Sequence, residues 1–134
     1  MSQHRVLICD DHWIVRQAIR GRLDEIPGFE VVAEVGDGES VMSAVREHRP
    51  DLVLIDVEMP GMNGIEAMAR VLSRWPEVRV LVFTAHEEDA LVRLAAREGA
   101  AGFLVKSADM DQIREACETV TEGSRWFPGH EDDL

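Results

Sequence analysis

Apolar residues follow two alternating patterns along the chain. Short, nearly continuous apolar runs predict buried strands, and longer segments with apolar residues at helical spacing predict amphipathic helices. Gly, Pro and Asp residues separate these segments, as is typical of turns. The pattern predicts strands at residues 5–9, 30–35, 52–55, 78–83 and 102–105, and helices at residues 12–26, 39–48, 65–75, 87–98 and 109–122.

The predicted strands and helices alternate five times with short connections. This order is typical of parallel βαβ units, in which one sheet is covered by helices on both faces. The first, third and fourth apolar runs are continuous, which favours central positions in the sheet, whereas the run at 30–35 alternates and favours an edge. With 134 residues, the chain is predicted to form one three-layer α/β domain.

Polar residues with complementary chemistry follow four of the five predicted strands. Asp10 and Asp11 follow the first strand, and Asp56 follows the third. Thr84 follows the fourth strand and Lys106 the fifth. Because the carboxyl ends of parallel strands meet at one edge of the sheet, we expect these side chains to lie close together. Each alone fits a helix cap, a turn or a solvated surface position, but together they predict a binding site.

Three neighbouring carboxylates, a lysine and a hydroxyl have a definite combined chemistry. Carboxylates that repel one another favour protonation or a bound cation, and oxygen ligands are those that Mg²⁺ and Ca²⁺ prefer. The lysine and the hydroxyl suit a tetrahedral anion such as a phosphoryl group. A carboxylate beside a metal ion and a lysine is suited to attack such a group and form an acyl phosphate.

Charge and apolar content argue against several classes of protein. The chain has 26 acidic against 14 basic residues and a net charge of −12, which argues against direct nucleic-acid contact by this segment. No apolar run approaches the roughly 20 residues of a membrane span, and the N-terminus lacks the apolar core of a signal peptide. Cys9 and Cys117 lie within apolar patterns, which indicates buried thiols in a reducing cytoplasm.

Four motifs carry a family resemblance: LICDD, LVLIDVEMPGMNG, VLVFTA and GFLVK. They resemble the motifs of receiver domains of two-component response regulators. The pattern DDHxxxR near the start, and Ser107 after Lys106, resemble the NarL/FixJ class. The resemblance implies a flavodoxin-like receiver fold, with a five-stranded parallel sheet in the order 2-1-3-4-5 and five helices. It assigns residues 1–123 to the receiver domain and residues 124–134 to a tail or the start of a linker.

The resemblance also implies a phosphorylation site and a metal site. Asp56 matches the phosphoacceptor of the family. Asp10 and Asp11 match its acidic pair, which would hold Mg²⁺ together with Asp56 and the backbone carbonyl of Glu58.

Further residues are assigned by the same resemblance. Thr84 and Lys106 match the hydroxyl and the amine that contact the phosphoryl oxygens. Thr84 and Phe103 match the switch positions, although Phe103 replaces the more usual tyrosine and also fits a packed core position. Glu58 and His86 match positions that tune dephosphorylation by controlling the approach of water.

The implied function is that of a cytoplasmic switch, which accepts a phosphoryl group from a sensor histidine kinase or a phosphotransfer protein. Apart from its own phosphorylation and dephosphorylation, it would not be an enzyme. Phosphorylation is expected to allow homodimer formation. The segment SRWFP after Gly123 resembles the linker to the DNA-binding domain of NarL/FixJ transcription regulators, which makes the chain the regulatory part of such a protein.

Several alternatives remain open at this stage. A stand-alone receiver would act through protein–protein contacts alone, and a degenerate receiver would serve only as a binding module. An aspartyl-phosphate phosphatase would normally carry an aspartate where Glu58 stands. A carrier of FMN would have a Ser/Thr/Gly-rich loop in place of Asp10 and Asp11, which would repel the FMN phosphate.

Overall fold

The computed structural model describes residues 3–133 and contains one parallel five-stranded sheet. The strands are β1 (His4–Cys9), β2 (Phe29–Val35), β3 (Leu52–Ile55), β4 (Arg79–Thr84) and β5 (Gly102–Val105). Their order across the sheet is β2-β1-β3-β4-β5, and all four neighbouring pairs are parallel. The predicted topology is therefore confirmed, including the edge position of β2.

Five helices connect the strands or follow them. They are α1 (Trp13–Asp24), α2 (Glu39–His48), α3 (Gly64–Arg74), α4 (Asp89–Arg97) and α5 (Met110–Thr121), and a short 3₁₀ helix covers Glu131–Asp133. Most differences from the predicted bounds arise at capping residues. Asp109, for example, is the N-cap of α5, because its side chain accepts a hydrogen bond from the backbone of Gln112 at 2.9 Å.

The sheet is buried on both faces, because its strand residues alternate between two apolar clusters. Leu7 and Cys9 of β1 face the cluster formed with α2, α3 and α4. Val6 and Ile8 face the cluster formed with α1 and α5. The domain therefore has the three layers that the sequence predicts, and the carboxyl ends of the strands form one common edge between the helices.

The first turn of α1 departs from this burial pattern. Trp13 and Ile14 are 63% and 74% exposed, and they are the large hydrophobic residues left exposed in the described part of the chain. The buried residues of α1 are Ile19 and Leu23, one and two turns further along the helix. The first turn of α1 thus carries apolar surface that the domain itself does not cover.

The segment after α5 returns to the sheet edge and pairs with β5. The backbone N–H of Trp126 donates to the carbonyl of Ala101 at 2.8 Å, and the N–H of Phe103 donates to the carbonyl of Trp126 at 3.1 Å. A Cβ on Gly102 would lie 2.8 Å from that Trp126 carbonyl, so only glycine allows this approach. Phe127 is buried in the core.

Trp126 and Phe127, in the segment assigned to the tail at 124–134, are thus in contact with the preceding domain. The boundary between residues 1–123 and 124–134 stays a prediction. Leu134 lies outside the described residues. No helix within residues 3–133 combines the length and the apolar character needed to cross a membrane.

Two glycines give a matched test of the close packing between the start of α3 and the backbone of Asp56. A Cβ on Gly64, at the start of α3, would lie 1.9 Å from the carbonyl oxygen of Asp56, whereas a Cβ on Gly21 in α1 would have no atom within 4 Å. Gly64→Ala is expected to lower the free energy of unfolding by about 1–3 kcal/mol. Gly21→Ala is expected to raise it by roughly 0.5–1 kcal/mol. Urea denaturation measures both, and equal effects would contradict the close approach at Gly64.

Candidate functional site

Buried polar residues lie at the carboxyl edge of the sheet. Among residues 3–133, the polar or charged residues classed as buried are Asp10, Asp56 and Thr84, which are 2%, 4% and 0% exposed. Burying a carboxylate costs free energy unless it is paired or bound to a cation. All three residues were predicted from their positions at strand ends, and the structure brings them to the same edge.

Backbone pairing beyond the strands sets the positions of these side chains. The N–H of Asp56 donates to the carbonyl of Cys9 at 2.9 Å, and the N–H of Asp10 donates to the carbonyl of Val35 at 3.0 Å. Both aspartates are therefore held in sheet-like pairing one residue past β3 and β1. These strands are neighbours, so the two carboxylates lie at adjacent ends of the sheet.

Lys106 joins the two buried carboxylates. Its Nζ lies 2.6 Å from Oδ2 of Asp10 and 2.7 Å from Oδ2 of Asp56. Partial burial by itself lowers the pKa of the Lys106 amine, but its close contacts with the carboxylates of Asp10 and Asp56, and their negative charges, outweigh this effect and raise the pKa above its usual value. The amine is therefore a permanent positive charge at neutral pH.

The acidic pair forms a cluster with the residue that follows it. One ligand atom each from Asp10, Asp11 and His12 lies within 4.8 Å of the others. Nδ1 of His12 is 3.0 Å from Oδ1 of Asp11 and 3.3 Å from Oδ1 of Asp10. His12 is not among the site residues that the sequence predicts, although its place directly after two aspartates is a signal for it.

The donor set fits a hard divalent cation. The carboxylates supply oxygen ligands, which Mg²⁺ and Ca²⁺ prefer. Oδ2 of Asp10 is buried and has a counter-charge at Lys106 but, within the described residues, no hydrogen bond of good geometry. Asp56 contacts Lys106 and lies outside the cluster of Asp10, Asp11 and His12. That Asp56 and the Glu58 carbonyl also bind the cation therefore stays a prediction.

Glu58 and His86 form a contact at the rim of the site. Oε1 of Glu58 is in direct contact with Nε2 of His86. The backbone N–H of Glu58 donates to Oδ1 of Asp56 at 3.2 Å, and that of His86 donates to Oγ1 of Thr84 at 3.3 Å. Each rim residue is thus tied to a buried site residue through its backbone, and the two are joined through their side chains.

Phe103 lies away from these polar groups. It is 6% exposed and packs in the apolar cluster that also contains Phe127 and Val92. This conformation is that of a core residue, and the switch role of Phe103 stays a prediction.

The two cysteines take no part in the site. Both are free and buried, as the sequence predicts. Burial, helped by the charge of Asp10, raises the pKa of the Cys9 thiol well above its usual range. Burial, helped by the charge of Glu118, raises the pKa of Cys117 to about 12. Neither thiol is therefore a nucleophile at neutral pH.

Comparison with known proteins establishes the family. The family model of the response regulator receiver domain matches residues 6–118. The chain therefore belongs to the response regulator receiver domain family.

Within this family, the chain is similar to response regulators of the NarL and LuxR type. The chain is 37% identical over 123 residues to the transcriptional regulatory protein DegU of Brevibacillus brevis. This match covers 92% of this chain and 52% of the relative. A LuxR-family response regulator from Aurantimonas sp. SI85-9A1 superposes with a TM-score of 0.91 at 34% identity, covering 98% of this chain and 94% of that chain.

The receiver domain of the response regulator NarL from Mycobacterium tuberculosis superposes with a TM-score of 0.86 at 36% identity, covering 92% of this chain and 99% of that chain. The chain spans about half the length of the DegU relative, since the match covers 52% of it. The predicted receiver fold and the resemblance to the NarL class are therefore confirmed.

The raised pKa of Lys106 predicts an alkaline limit for its ion pairs. Because the folded-state pKa lies above the ordinary value of 10.5, the ion pairs stabilise the fold fully below that value, and their contribution is lost as the pH rises through the folded-state pKa. The difference in unfolding free energy between wild type and Lys106→Met is therefore expected to stay constant from about pH 7 to about pH 10 and to shrink above that.

The composition makes this measurement specific. Lys106 is the single lysine of the chain, and the chain has no tyrosine. The thiols of Cys9 and Cys117 are present in both proteins, so their titration cancels in the difference. A difference that already shrinks near neutral pH would contradict the raised pKa.

Proposed function

We propose that this chain is a phosphorylation-controlled switch in which Asp56 accepts the phosphoryl group. One observation carries the proposal: the Asp56 carboxylate is buried at the end of β3 with Oδ2 only 2.7 Å from Nζ of Lys106. A buried carboxylate paired with a lysine, beside two further aspartates, is arranged to receive an anionic group and to have its charge offset.

The proposed reaction is a phosphoryl transfer from a phosphohistidine donor. An oxygen of Asp56 attacks phosphorus, and the bond between phosphorus and the donor imidazole nitrogen breaks with its electron pair staying on the imidazole. Lys106 then moves from the two carboxylates to a phosphoryl oxygen, and the hydroxyl of Thr84 donates to another. Water later hydrolyses the acyl phosphate, which releases inorganic phosphate and restores the Asp56 carboxylate.

We assign the cation of this site to Mg²⁺, held by Asp10, Asp11, Asp56 and the backbone carbonyl of Glu58. When bound, it offsets the negative charge on the transferring oxygens. The cluster of carboxylates and the buried Asp10 oxygen without a directed hydrogen bond support this assignment.

The response to phosphorylation is proposed to involve Thr84 and Phe103. Movement of the Thr84 hydroxyl toward the phosphoryl group would change the packing beneath α4, where Phe103 lies in the same apolar cluster as Val92 and Phe127. Two alternative packings of this region would then distinguish the two states of the switch. A homodimer is the proposed assembly of the phosphorylated form.

The proposed donor is a sensor histidine kinase or a phosphotransfer protein, the partners of receiver domains in general. Trp13 and Ile14, 63% and 74% exposed, immediately follow the acidic site and offer such a partner an apolar contact. We place the protein in the cytoplasm, because its two free buried thiols suit a reducing compartment.

We further propose that the chain is the regulatory part of a DNA-binding transcription regulator, with the segment from residue 124 leading toward an output domain. The pairing of Trp126 with β5 supports this, because it ties the departing chain to the strand that precedes Lys106. The rival proposal of a phosphatase that turns over substrate is disfavoured, since Glu58 takes the place of the expected acid and contacts His86.

The proposal predicts a covalent adduct on one residue. Incubation with Mg²⁺ and a small phosphodonor should add the mass of one phosphoryl group to the intact wild-type chain, and alkaline treatment should remove it. Asp56→Asn should give no adduct, and a chelator should strongly reduce the adduct on wild type. An unmodified wild type, or an equal adduct on Asp56→Asn, would overturn the proposal.

The rim contact predicts a change in the lifetime of the phosphoryl group. Glu58→Gln should shorten the lifetime several-fold, because loss of the carboxylate charge weakens the contact with His86 and admits water to the acyl phosphate. Glu88→Gln is the matched control, since it removes the same charge from a carboxylate that lies 3.7 Å from the other ring nitrogen of His86, Nδ1. The decay of the adduct is followed by mass spectrometry, and equal decay in wild type and Glu58→Gln would contradict the prediction.

A further inference from the structure

Arg16 contacts the backbone of the acidic pair from within α1. Its Nη1 donates to the carbonyl oxygen of Asp10 at 2.6 Å, and its Nε donates to Oε1 of Glu34 at 3.1 Å. The side chains of Arg16 and Glu34 are only 17% and 13% exposed. A largely buried guanidinium therefore links the end of β1 to the edge strand β2.

The Asp10 carbonyl lies just beyond the last residue pair of β1 and β2. The last register pair of β1 and β2 is Cys9 with Val35, and the N–H of Asp10 still donates to the Val35 carbonyl. The turn that begins at Gly36 then ends β2. A buried backbone carbonyl needs a donor, and Arg16 supplies it where the strand no longer does.

We propose that Arg16 is a positioning residue for the divalent cation: through the Asp10 carbonyl it fixes the peptide plane between Asp10 and Asp11, and so the relative placement of the two carboxylates. This inference rests on the proposed function. The peptide joining the two residues cannot rotate without breaking the 2.6 Å hydrogen bond. A cation that both carboxylates contact therefore binds a pair held in place beforehand.

The guanidinium is itself held in one orientation. The backbone N–H of Arg16 donates to the carbonyl of His12 at 3.0 Å, which places it in the first turns of α1. A Cβ on Gly36 would lie only 3.1 Å from its Nη1, so glycine at this turn leaves the guanidinium room to reach the Asp10 carbonyl. Arginine suits the position because its planar fork reaches the carbonyl and the carboxylate at once, which the single ammonium of lysine does less well.

Charge and position predict opposite effects of removing Arg16. If the guanidinium acted only through its positive charge near the acidic pair, a neutral residue would strengthen cation binding. If it acts by holding the Asp10 carbonyl, a neutral residue frees the peptide plane and weakens cation binding. The sign of the change therefore separates the two roles.

The test is a calorimetric titration of the full chain with Mg²⁺ in the absence of any phosphodonor. Arg16→Met is expected to raise the Mg²⁺ dissociation constant roughly tenfold, the scale typical of residues that orient metal ligands, and Arg16→Lys is expected to recover part of the loss. Arg20→Met is the matched control with an unchanged constant, because Arg20 also contacts Glu34 but its other hydrogen bond goes to the carbonyl of Val31.

The outcomes decide the inference separately from the proposed function. An unchanged or tighter constant for Arg16→Met, while wild type binds Mg²⁺, would overturn the positioning role alone. A wild type that neither binds Mg²⁺ nor forms the Asp56 adduct would overturn the proposed function. If Arg16→Met fails to fold, Glu34→Gln decides the question: it removes the charge that anchors Arg16, and binding as tight as in wild type would contradict the inference.

Discussion

The ammonium of Lys106 between the carboxylates of Asp10 and Asp56 is the interaction on which the site depends. Two buried carboxylates at adjacent strand ends repel each other, and burying them without a counter-charge costs free energy. Lys106 supplies that charge at 2.6 and 2.7 Å. Because β5 is two strands away from β3 in the sheet, this contact requires β1, β3, β4 and β5 to be assembled.

The same arrangement explains how the site can change state. In the structure the lysine offsets the charge of two carboxylates, and a phosphoryl group on Asp56 would present its larger negative charge on different atoms. The groups that respond are connected through the backbone: the N–H of Lys106 donates to the carbonyl of Thr84 at 2.9 Å, and Thr84 stands in register with Val105 at the end of β5. A change in the ion pairs of Lys106 is thereby linked to β5, the strand with which Trp126 pairs.

Support for the site comes from residues outside it. Gly64 lets the start of α3 approach the Asp56 backbone, and Arg16 gives the Asp10 carbonyl a donor where β2 ends. Glu58 and His86 join the loops after β3 and β4 at the rim. The buried carboxylates thus lie at strand ends and are supported by contacts from the helices and loops around them, an arrangement that holds side chains in a defined geometry.

The sequence by itself determined the element order, the parallel sheet and the meeting of Asp10, Asp56, Thr84 and Lys106 at one edge, because apolar periodicity and the geometry of βαβ units are local and general. Only the tertiary structure decided that Lys106 contacts both aspartates, that Arg16 reaches the Asp10 carbonyl, and that the first turn of α1 stays exposed. These features depend on side-chain conformation and on the approach of segments far apart in the chain, which no local pattern encodes.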